Sequence, residues 1–129
     1  MMINTHQAID RSLCGTPLAV AQGHSQVEMQ TTDAMVADAS GLIHGGFIFG
    51  LADYAAMIAI NHPNVVLGSA DVKFLKPVRL GDTVVAQARI EEIQGKKHWV
   101  AVSVRKADET VFQGMFTCFT PDRHVLDPG

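Results

Sequence analysis

Three consecutive residues, His44-Gly45-Gly46, stand directly before an apolar run, Phe47 to Ile60, whose one charged residue is Asp53. If that run is helical, the glycines fall where loop becomes helix. Glycine lets a ligand come close to the backbone. The free N–H groups of a helix start point outward with partial positive charge. Together they can polarise a carbonyl and hold the oxyanion that forms when it is attacked. The plain alternative is a helix start that needs glycine for tight packing. Asp53 is the complementary feature. A carboxylate in the middle of an apolar helix is costly unless it is paired, hydrogen-bonded or protonated. Burial would raise its pKa, which suits a general base. An aspartate bonded to nearby backbone, or held in a subunit interface, fits the residues equally well.

The spacing of the two features sets a condition. Gly45 and Asp53 are eight residues apart, so Asp53 lies about 12 Å along the helix from its start. One carbonyl carbon cannot meet both within a single chain. Two helices running antiparallel about a two-fold axis would bring Gly45 of one against Asp53 of the other. A site that uses both residues therefore requires a homodimer.

Other elements must hold this helix. Thr5 to Leu13 reads as a short amphipathic helix with Thr5 as N-cap, stopped by Gly15 and Pro17. Leu18 to Thr31 reads as one long irregular strand with a bulge at Gly23. A loop over Thr32 to Ile43 leads into the helix, and Asn61-His62-Pro63-Asn64 ends it. Four strands follow. Val66 to Lys76 sets Ala70, Val72 and Phe74 against Ser69, Asp71 and Lys73. Val84, Ala86, Ala88 and Ile90 form a second inward row, and Val100, Val102 and Val104 a third. Val111 to Phe119 is the last strand. Turns at Leu80-Gly81-Asp82, Gln94-Gly95-Lys96 and Ala107-Asp108-Glu109 predict three successive hairpins. The fold class is α+β: an antiparallel sheet burying one apolar helix against its face. The whole chain, 1–129, is expected to be one domain with a loose tail over 121–129.

Composition narrows the function classes. The chain has 129 residues, 47% hydrophobic and 18% charged, below the usual quarter. So low a charge share fits a further buried surface, most simply between subunits. A net charge of −3 argues against nucleic acid as a partner. Cys14 and Cys118 form no CxxC pair, and the six histidines show no metal-ligand spacing, so no metal and no disulfide framework are expected. No basic stretch leads into an apolar run, and Phe47 to Ile60 falls short of a membrane span. A soluble cytoplasmic protein is expected, with no membrane partner.

The stretch from Asp38 to Ala55, with His44-Gly45-Gly46 and Leu51-Ala52-Asp53, resembles PaaI-type thioesterases of the hot-dog fold. Ser69 to Asp82, ending Pro77-Val78-Arg79-Leu80-Gly81-Asp82, matches the strand and turn after the helix in that family. The second half also looks like the ligand-binding domain of FapR-type transcriptional regulators, which sense malonyl-CoA without hydrolysing it. The resemblance implies hydrolysis of an acyl-CoA thioester at a site shared across a dimer, with dimer pairs as a further possibility and no cofactor beyond the coenzyme A of the substrate. It makes Asp53 the base and Gly45 and Gly46 the oxyanion donors. Asp38 stands where the family keeps a polar residue that places water, and near Asp53 the two acids would couple. Some relatives supply a Ser or Thr at the position of Leu67, which cannot serve; Ser69, two residues on, is the substitute candidate. His44, Phe47 and Tyr54 are candidate substrate contacts, as are Phe49 and Met57 for the acyl pocket. Lys76 and Arg79 are candidates for the nucleotide phosphates. The rival implication is an acyl-CoA-binding sensor without turnover.

Overall fold

A computed structural model describes residues 1–129. Helix α1 (Arg11–Cys14) precedes strands β1 (Thr16–Ala21) and β2 (His24–Gln30). A short 3-10 turn, Asp33–Met35, leads to helix α2 (Gly45–Ile60). Strands β3 (Val66–Phe74), β4 (Thr83–Gln94), β5 (Lys97–Lys106) and β6 (Glu109–Phe119) complete the chain. The strands form a single antiparallel sheet in the order β1-β2-β4-β5-β6-β3. It wraps around α2, as the hot-dog pattern requires.

Helix α2 is apolar on nearly every side because it is buried on nearly every side. Leu51, Ala52, Ala55 and Ile58 are fully enclosed, and they meet the inward row of Val27, Met29, Val84, Ala86, Val100 and Val104. Alanine, leucine and methionine favour the helix intrinsically. Asn61 stops it by adopting a left-handed conformation (φ 57°), its N–H donating to the Met57 carbonyl at 2.8 Å. Asn61 also holds the chain's start. Its Oδ1 accepts from the Asn4 N–H, and its Nδ2 donates to the Met2 carbonyl.

Four sequence expectations change. The first helix spans Arg11–Cys14 rather than Thr5 to Leu13; its cap is Asp10, whose carboxylate accepts from the Ser12 N–H. Thr5 is instead buried, and the chain before Asp10 lies as a strap with Ile3 and Ile9 against the core. Leu18 to Thr31 is two strands, not one. Gly23 (φ 76°) sits in a tight turn between paired Ala21 and His24 rather than at a bulge. Only two of the three expected hairpins after the helix exist, at Gly95 (φ 60°) and at Ala107 (φ 51°). Strand β3 pairs with β6 on the far side, because β2 already occupies the free side of β4.

The link from β3 to β4 therefore crosses the end of the sheet, where it secures the start of α2. Ile43 donates from its backbone N–H to the Val78 carbonyl, Leu80 to the Gly41 carbonyl, and His44 to the Met35 carbonyl, at 2.8–2.9 Å. The buried Thr31 hydroxyl donates to the Asp82 carbonyl at 2.8 Å and accepts from the Gly81 N–H at 2.9 Å. Residues 121–129 form no helix or strand.

Candidate functional site

The N-terminus of α2 is held open. His44 is the cap residue, in extended conformation, and its side chain makes no capping hydrogen bond. Its ring stands edge-on to Phe47 instead, with centroids 6.2 Å apart. The first-turn amides of Gly45 and Gly46 thus carry no side-chain cap. Phe74, at the end of β3, lies over Gly45: a Cβ there would fall 3.1 Å from the Phe74 ring.

Two turns along, Asp53 is mostly enclosed, and its Oδ1 has no hydrogen-bond partner. Neither a backbone group nor a cation in this chain satisfies it, which removes the backbone-bonded alternative for that oxygen. Burial pushes the carboxyl up to about 6. Asp53 in turn acts on two thiols. Cys118 is pushed up to about 12, by burial first and Asp53 second. Cys14 is also raised, by burial first, then Asp10 and Asp53.

These neighbours orient the helix relative to the edge of the sheet. Gly45 lies beside Phe74 at the end of β3. Phe49 stacks on Phe116, with centroids 5.4 Å apart, and Phe116 pairs with Ala70 in mid-β3. Asp53 is within electrostatic reach of Cys118, which pairs with Leu67 near the start of β3. Helix α2 and strand β3 therefore run in opposite directions, with the glycines beside the end of β3 and the mid-helix acid toward its start. No other strand of this chain pairs with the outer edge of β3, and both of its faces are largely open to solvent.

Several expected site residues lie elsewhere. Tyr54 is core, 1% exposed, with its ring 6.3 Å from that of His6; it faces the N-terminal strap and not a ligand surface. Met57 is equally buried. Phe47 and Phe49 are half-buried. Ser69 is on the wrong face. The register slips at Gly68, so Leu67 pairs with inward Cys118 whereas Ser69 pairs with outward Thr117. Two residues along an undistorted strand share a face; a bulge between them reverses that. Asp38 does not meet Asp53 within the chain. It is fully exposed and closes a turn, accepting from the Ser40 N–H at 2.9 Å and from its hydroxyl, bonds that hold its carboxyl below the usual range. Lys76 and Arg79 are exposed on the link after β3, and Lys76 borders a groove beside Gly45. No three His, Cys, Asp or Glu side chains are grouped to hold a metal ion, and no helix is long and apolar enough to cross a membrane.

Sequence reasoning missed three features. The Phe74 contact on Gly45 is invisible without the strand order. Ser25 donates from its hydroxyl to the Ala55 carbonyl at 2.6 Å, pinning α2 to β2. His98 is buried opposite Cys118, with an unpartnered Nδ1 and a pKa lowered mainly by burial.

Residues 40–113 match the family profile described as "Thioesterase superfamily". The chain belongs to this superfamily. A crystal structure of an uncharacterized protein from Pyrococcus horikoshii superposes with a TM-score of 0.97 at 50% identity, covering 98% of each chain. A point variant of the phenylacetic acid degradation protein PaaI from Thermus thermophilus superposes at 0.79 with 26% identity, covering 86% of this chain and 96% of that one. Transcription factor FapR of Thermoanaerobacter sp. is 31% identical over 97 residues, 75% of this chain and 48% of the relative. A protein of Aquifex aeolicus named methylthioribose-1-phosphate isomerase is 51% identical over 123 residues, 95% of this chain. The chain spans 27% of that relative and about half of FapR. Both resemblances read from the sequence, to PaaI and to FapR, are thus found among the proteins this chain is similar to.

Proposed function

We propose that the chain hydrolyses the thioester of an acyl-coenzyme A at a site completed by a second copy. One observation carries this reading: a partly enclosed carboxylate with an unpartnered oxygen, raised to about 6, two turns along one helix from uncapped glycine amides. Antiparallel pairing of two β3 edges about a two-fold axis near Ala70 sets Phe74 and Gly45 of one copy against Leu67 and Asp53 of the other. The free edge strand supports that pairing, as does the isologous contact typical of dimers.

The chemistry follows from the parts. The Asp53 carboxylate accepts a proton from water as the water oxygen bonds to the thioester carbon. The amides at Gly45 and Gly46 of the partner copy stabilise the carbonyl oxygen as it becomes an oxyanion. When the tetrahedral intermediate collapses, the C–S bond breaks and Asp53 returns the proton to the leaving thiolate. Lys76 and Arg79 lie on the exposed link at the same end of the sheet, suited to the phosphates of coenzyme A.

The second reading, an acyl-CoA sensor without turnover, is favoured by Leu67 and Asp38. The first offers no hydroxyl, and the second is occupied with Ser40. Thiol release from a panel of acyl-CoAs separates the two. Turnover that disappears in Asp53→Asn supports the hydrolase. Tight binding with no thiol released from any thioester replaces it with the sensor.

A further inference from the structure

Three of the large apolar side chains left open to solvent gather at one place. In the single chain Leu42, Phe74 and Leu75 are 40%, 56% and 43% exposed, and all three line a groove of about 350 Å3 against the N-terminus of α2, at the end of β3 that the proposed dimer sets against the second copy. Its floor is Ile43, Ile48, Val78 and Val111, each at most 4% exposed. Lys76 is the one charged residue in the lining, and no carboxylate is present. Gly45 forms part of the wall. Clustered exposed apolar surface marks binding sites, and the volume falls within the range of about 300–1,000 Å3 usual for ligand pockets. Phe74 is the fixed element of the groove. Its ring lies on Gly45 on one side and meets Phe112 edge-on at 5.1 Å on the other.

We propose that this groove receives the acyl group and that Phe74 limits its length; the inference rests on the hydrolase reading above. A carbonyl held at the Gly45 amide has its acyl substituent within a few bonds of the groove. The floor offers no polar partner, and Lys76, the one cation in the lining, is exposed and assigned above to the coenzyme A phosphates, so a charged acyl terminus seated on the floor would lose its hydration without compensation. The substrate class is therefore an uncharged aliphatic or aromatic acyl thioester. Phe74 stands where a longer chain would have to pass.

The full chain, as wild type, Phe74→Ala and Phe74→Leu, is assayed with acetyl-, hexanoyl-, decanoyl-, phenylacetyl- and succinyl-CoA. The Kd of each thioester and of free coenzyme A is measured on the same three backgrounds carrying Asp53→Asn. Wild type is expected to prefer hexanoyl or phenylacetyl over acetyl and succinyl. Phe74→Ala is expected to raise decanoyl relative to hexanoyl by about ten-fold, the scale at which a few methylenes are discriminated. Phe74→Leu shifts it less and guards against misfolding of the alanine variant. The Kd of free coenzyme A stays constant. A uniform loss across the series, with weaker free coenzyme A, assigns the groove to the pantetheine arm and overturns the proposal. A preference for succinyl overturns the substrate class. If no thiol is released, the hydrolase reading fails on its own, and the Kd series still shows whether Phe74 sets acyl length. Absence of any thioester binding overturns both.

Discussion

Asp53 combines a cost to the fold with the use in chemistry proposed for it. Its carboxyl is held near 6 against an ordinary 3.8 by burial. Between those values the folded chain keeps a proton that the unfolded chain has released, so stability falls as pH rises from about 4 to about 6 and stays lower above it. Two pKa units correspond to roughly 3 kcal/mol. Asp53→Asn keeps the shape and removes the charge. It should raise the Tm at pH 8 and leave it nearly unchanged at pH 4, as read by thermal melts at both pH values. Equal effects at both would remove the burial explanation. The same pKa sets the activity profile. kcat/KM should climb to a plateau with a limb near pH 6, because the base works only when ionised. In Asp53→Asn, turnover should fall by about 10²–10⁴-fold. Asp53 was legible in the sequence because a lone acid in an apolar run stands out. The placement of Asp38 and Ser69 follows local features that no spacing rule contains: Asp38 accepts from a serine two residues on, and a bulge at Gly68 turns Ser69 outward.

At the scale of elements, α2 and most of the strands were legible because their apolar periods are unambiguous. The strand order was not. Turn residues mark where the chain reverses, but they do not say which edge a strand joins, so the turn at Leu80-Gly81-Asp82 predicts β3 beside β4, whereas β3 joins β6. The position of β3 matters because its free edge is where a second copy would pair. Its contact with β6 depends on Gly114. A Cβ there would come 2.6 Å from Val72 Cγ1 and 2.7 Å from the Asp71 carbonyl. Gly114→Ala should therefore force β3 away from β6, costing about 1–3 kcal/mol and weakening self-association, which denaturant melts and sedimentation would show together. Loss of stability with an unchanged association state would mean that β3 is not the contact. Ser25→Ala should cost about 1 kcal/mol, since it removes one buried hydrogen bond between β2 and α2.

For the molecule as a whole, the proposed mechanism gives one chain two half-sites that cannot meet. The uncapped amides lie at the start of α2 and the acid two turns later, on a helix antiparallel to an unpaired edge strand. Two variants isolate the halves. Asp53→Asn removes the base. Gly45→Pro removes one N–H at a helix position that tolerates proline; His44 before it is already extended (φ −63°, ψ 130°), as a residue preceding proline must be, and the exposed Phe74 ring, 3.1 Å from the new Cβ, must shift slightly to admit it. Each variant alone should release thiol from acyl-CoA at least about 100-fold more slowly than the wild type. Mixed in equal amounts and allowed to exchange subunits, they form hybrid dimers in which one site has both its intact amide and its intact acid, so about a quarter of the wild-type activity should return. An exchanged mixture that stays inactive, while the wild type turns over under the same conditions, would contradict a site shared between two copies.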